Sequence, residues 1–70
     1  MTGIQAMRIG RERNGTLYAT HCIMQYSKPD RAEEAIAKLR QRQTAFVRVE
    51  DAQAVLAAVA EMEAASADGG

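Results

Sequence analysis

The chain opens with two extended runs and then changes to a helical period. Ile4 to Arg13 and Thr16 to Tyr26 flank Asn14-Gly15, and the second run is rich in aromatic, β-branched and Thr residues. Asn-Gly between extended runs favours a two-residue turn whose central residues both take positive φ, so the pattern predicts a β-hairpin. A two-residue turn sets Arg13 opposite Thr16, Ile9 opposite Thr20 and Arg8 opposite His21. One face of the predicted hairpin then carries Met7, Ile9, Tyr18, Cys22, Met24 and Tyr26 and takes the helices. The other carries Ile4, Ala6, Leu17, Ala19 and Ile23 beside Arg8 and His21, and is still apolar enough to need cover.

Ser27-Lys28-Pro29-Asp30 marks a helix start with either Ser27 or Asp30 as its cap, Asp30 and Glu33 standing at capping-box spacing. Ala32, Ala35, Ile36 and Leu39 form the apolar stripe of a helix ending near Gln43. Thr44 to Glu50 reads as a short strand through Phe46, Val47 and Val49. Asp51 then caps a second helix to about Ala65, with Ala52, Val55, Leu56, Val59 and Met62 as its stripe. The predicted fold class is α+β, order β-β-α-β-α, with two helices on one face of the sheet. Residues 1–66 form one small domain, and 67–70 are expected to be a flexible tail after a native start at Met1.

Composition shows how thin that core is. Of 70 residues 47% are apolar, but 14 are Ala, and Phe46, Tyr18 and Tyr26 are the only aromatics. Domains of this size gain little from their own core and often recruit a disulfide, a metal or a second subunit. One cysteine, Cys22, excludes an internal disulfide and suits a reducing compartment. With no apolar run near the length of a membrane span and no signal-peptide pattern, a cytoplasmic location is expected. A homodimer is expected, with Ile4, Ala6, Leu17, Ala19 and Ile23 as its seam.

Charge is neutral overall but segregated. Residues 1–48 hold all nine basic side chains and four acids, and residues 49–70 hold five acids and no base. Two parallel-running helices would set Arg40 and Arg42 beside Glu61 and Glu63, where a cation offsets the cost of acids near a helix C-terminus. Zero net charge removes long-range attraction for nucleic acid.

Catalytic chemistry finds no support in the residues. His21 and Cys22 are single and adjacent on a strand, so they point to opposite faces and form no dyad. One His and one Cys fall short of a zinc site, and no Gly-rich loop precedes a helix to cradle a nucleotide. No enzyme activity, cofactor, metal or membrane contact is expected. The expected function is that of a small protein-binding module, an inhibitor or adaptor of the type phages and mobile elements carry against host defences. Its candidate partner-binding residues are Arg8, Arg11, Arg13, His21, Arg40 and Arg42. The alternative is a nucleic-acid binder using the basic hairpin. A platform for single-stranded RNA would need exposed strand aromatics, and the predicted register puts Tyr18 on the core side.

Overall fold

Strand β1 (Ile4–Arg11) runs through the middle of a three-stranded antiparallel sheet, between β2 (Leu17–Met24) and β3 (Ala45–Arg48). Helices α1 (Ala32–Arg40) and α2 (Val49–Gly69) complete the order β-β-α-β-α. This computed structural model describes residues 3–69, with side chains to residue 65. The start read from Met1 and the last residue of the expected tail lie outside the described residues, and α2 runs on to Gly69.

The hairpin forms at Asn14-Gly15, but its loop is one residue longer than the two-residue turn. Gly15 N–H donates to the Glu12 carbonyl and Glu12 N–H to the Thr16 carbonyl, both at 2.9 Å. Gly15 has φ of 90°, while Asn14 is not among the positive-φ residues. These are the marks of a type I turn closed by a glycine bulge. Asn14 contributes its side chain instead, accepting the Thr16 N–H at 2.9 Å.

That extra residue shifts the whole ladder by one and corrects the predicted pairing. Arg8 lies opposite Thr20, Ile9 opposite Ala19 and Ala6 opposite Cys22. Because side chains alternate, the slip exchanges the faces of β2 relative to β1. Met7, Ile9 and Arg11 now share the helix side with Leu17, Ala19, His21 and Ile23. Ile4, Ala6, Arg8 and Gly10 share the open side with Tyr18, Thr20, Cys22 and Met24. The expected dimer seam is thereby split, with Ile4 and Ala6 on one face and Leu17, Ala19 and Ile23 on the other. The Arg8–His21 pair is split in the same way.

Strand β3 adds Ala45 and Val47 to the helix side and Phe46 and Arg48 to the open side. The core lies between sheet and helices. Ile9, Leu39, Val47, Val55 and Val59 are fully buried there, with Ala35, Ala45 and Ala52 filling the close approaches. Met7, Leu17, Ile36 and Leu56 pack around them half-buried. Met62, the last residue of the predicted stripe, is 41% exposed because α2 has by then run past the core.

Neither Ser27 nor Asp30 caps α1. Arg31 holds the cap position with no side-chain hydrogen bond. Asp30 instead grips β3, its carboxylate accepting Phe46 N–H at 3.1 Å and the Lys38 ammonium at 2.9 Å. Its own N–H donates to the Phe46 carbonyl. Helix α1 closes in a Schellman motif, with Gln43 N–H on the Lys38 carbonyl at 2.8 Å and Arg42 N–H on the Leu39 carbonyl at 3.1 Å. The motif requires a left-handed residue, and Arg42 supplies it at φ 64°. Replacing Arg42 by Gly should therefore raise stability, by about 0.5–1 kcal/mol. An increased denaturation midpoint with an unchanged slope would confirm it.

Candidate functional site

Both helices cover the same side of the sheet, so the other side is open. Its strand residues include two cations and no acid: Arg8 on β1 and Arg48 on β3, both exposed. Two aromatics accompany them, Tyr18 on β2 and Phe46 on β3, both half-buried. Ala6 is fully buried in the middle of this face yet lies outside the cluster that packs against the helices.

Gly10 positions Tyr18. The two residues are cross-strand partners, and a Cβ on Gly10 would lie 2.8 Å from the tyrosine oxygen and 3.0 Å from the ring. The missing side chain lets the ring lie down across the strand, where it meets the Arg8 guanidinium at 5.8 Å from its centroid. This is within cation–π range, worth about 0.5–1 kcal/mol at an exposed site. Gly10→Ala should push the ring off β1 while the sheet survives, since the added Cβ meets only the far end of the flexible Tyr18 side chain. We expect a change in tyrosine fluorescence with far-UV circular dichroism unchanged; an undisturbed tyrosine signal would show that the ring is not held by Gly10.

The six candidate partner-binding residues do not form one site. Arg11, Arg13, Arg40 and Arg42 gather at the end of the molecule formed by the hairpin turn and the C-terminus of α1. Arg8 lies apart on the open face. His21 lies on the helix side of β2, exposed, within 3.1 Å of the Gln5 side-chain oxygen. Arg11 is turned inward, its side chain only 12% exposed. Its guanidinium donates to the Leu39 carbonyl at 3.1 and 3.3 Å and to the Gly15 carbonyl at 2.9 Å, and it pairs with Glu63. The cation that meets the acids of α2 is therefore Arg11, in place of the expected Arg40 and Arg42. Arg11, expected among the partner-binding residues, is instead spent on these internal contacts. Residues on the open face that the sequence reading missed are Tyr18, Phe46 and Arg48, and only the loop length could have revealed Tyr18.

A cleft of about 450 Å³ opens at the far end of the sheet, where Ile4, Lys28, Pro29, Arg31, Arg48 and Asp51 surround the start of α1. Its three cations line it together with Asp30 and Asp51, and among the described residues it holds no Ser, Cys or His nucleophile. His21 and Cys22 point to opposite sides of the sheet, as their adjacency predicts. Among the described residues no three of His, Cys, Asp or Glu converge as a metal site would require. No described helix is long and apolar enough to cross a membrane. Comparisons with protein-family models, curated proteins and solved structures return no match.

Proposed function

We propose that this chain is a non-enzymatic interaction module that occupies a surface of a partner protein with the open face of its sheet. The observation that carries the reading is the composition of that face: Arg8 over the Tyr18 ring, with Phe46 and Arg48 one strand away and no acidic strand residue among them. Exposed Arg beside half-buried aromatic side chains on a rigid scaffold is the kind of surface that anchors protein interfaces. An inhibitor or adaptor, including one serving a phage or mobile element against host defences, is the biological form of this function. The module acts in the cytoplasm as a homodimer.

The test compares the wild-type chain with an Arg8→Ala, Tyr18→Ala variant, each immobilised and exposed to nuclease-treated lysate. A protein retained by the wild type and lost from the equally folded variant is the expected result. Retention by both would move the site off this face. A second reading, binding of single-stranded nucleic acid, is favoured by one observation: the corrected register puts Tyr18 where a base could stack. Fluorescence anisotropy with a labelled oligonucleotide separates the two, because phosphate contacts make affinity fall steeply with salt.

A further inference from the structure

The sheet has two edges, and they are treated differently. The outer edge of β3 is short and already occupied: Asp30 takes both the N–H and the carbonyl of Phe46 that face away from β1. The outer edge of β2 is eight residues long, Leu17–Met24, with no charged residue, no proline and no glycine. Among the described residues nothing pairs with it. Natural proteins blunt such an edge with lysine, proline, a bulge or a covering element, and β2 has none of these.

We infer that the free edge of β2 is the seam of a homodimer, in which β2 pairs antiparallel with β2 of a second copy across a two-fold axis. Several observations select a second copy as the occupant. Identical strands meeting antiparallel are self-complementary by symmetry, each offering the groups the other needs. None of the chain's nine basic and nine acidic residues lies in β2, so two copies approach without like-charge repulsion. The edge equally offers no charge to attract an acidic or basic partner. Ile23, 60% exposed on the helix side of this edge, gains cover. The thin core makes a second subunit physically useful. The product is a continuous six-stranded sheet whose open face carries Arg8, Tyr18, Phe46 and Arg48 twice. The inference does not depend on what that face binds.

The hydrogen-bond alternation supplies a selective test. Counting from the Glu12–Thr16 bond, even-numbered residues of β2 turn their backbone groups toward β1, and Ala19, His21 and Ile23 turn theirs outward. His21→Pro therefore deletes an N–H from the free edge and leaves the hairpin ladder intact, as proline on an edge strand can. Ile23→Lys places like charges near each other across the seam without touching the backbone. Sedimentation of the full chain at micromolar concentration should give a mass near twice 7.6 kDa. Each variant should weaken association by about tenfold or more, as expected for losing an interfacial hydrogen bond per copy or adding a like-charge contact. Should His21→Pro fail to fold by circular dichroism, Ile23→Lys decides. Hydrogen exchange gives an independent reading: the amides of Ala19, His21 and Ile23 should exchange more slowly as concentration rises. A wild-type chain that sediments as a monomer overturns the inference. So does a dimer that persists in the folded variants, or exchange at these three amides that ignores concentration.

Discussion

Leu39→Ala should come close to unfolding the protein. Leu39 is fully buried in the last turn of α1, within the cluster that includes Ile9, Val47, Val55 and Val59. Truncating a buried leucine costs about 2–5 kcal/mol, the upper end where the surroundings cannot collapse into the gap. The neighbours here are β-branched side chains and small alanines held on two helices and a sheet, so little relaxation is available. At about 0.05–0.15 kcal/mol per residue, a chain this short has a total stability of only a few kcal/mol to about 10. The loss is therefore a large part of the whole. Urea titration should show a midpoint displaced far toward zero denaturant. A displacement equivalent to less than about 1 kcal/mol would mean that the core repacks freely and is less well defined than its burial implies.

Arg11→Ala should cost about 2–3 kcal/mol, against a change within about 0.5 kcal/mol for Arg13→Ala two residues away. The guanidinium bonds the carbonyls of Leu39 and Gly15 and the carboxylate of Glu63, joining the hairpin loop, the end of α1 and the side of α2. Most of the effect comes from the two carbonyls, which sit in a partly buried place and lose a charged donor. Glu63 is 46% exposed, so its share is that of a solvent-screened pair, under about 1 kcal/mol. Raising the salt concentration should therefore shrink the difference between wild type and variant only slightly. Arg11→Lys should recover little, because one ammonium cannot span three acceptors that a planar fork reaches together. Equal melting of the Arg11 and Arg13 variants would show that this cross-link does not contribute in solution.

Much of the fold is legible in the sequence because its signals are local. The Asn14-Gly15 turn, the stripe Ala32, Ala35, Ile36 and Leu39, and the run of alanines in α2 each identify their element without tertiary information. The register is not legible in the same way. Asn-Gly closes a two-residue loop with Asn at positive φ, or a three-residue loop with Gly alone at positive φ, and local sequence does not separate them. The choice is made by the core: the longer loop brings Leu17 under the helices with Ile9 and Met7. It leaves Tyr18 to lie over Gly10 on the other side. Everything read from the shorter loop moves with it, which is why the candidate surface changes from a set of basic residues on the hairpin and first helix to an open sheet face. Asp30 was misread for a related reason. Its spacing to Glu33 suits a helix cap, but β3 arrives beside it from 16 residues away and offers the Phe46 N–H as a better partner.

The order β2-β1-β3 also has a consequence in time. The central strand is synthesised first, and its second neighbour arrives last: Ala6 pairs with Arg48, 42 residues further along. The hairpin can close within about 1–10 μs once Met24 has emerged. At about 5–20 residues per second, translation needs a second or more to deliver the rest of β3. Throughout that interval both edges of a two-stranded ribbon are unpaired, and β1 presents Ile9 with no helix over it. A nascent chain stalled just after β2 should therefore be the most aggregation-prone length of this protein. Extending it through Arg48 should relieve one edge, and only synthesis through Val59 should hide the apolar side.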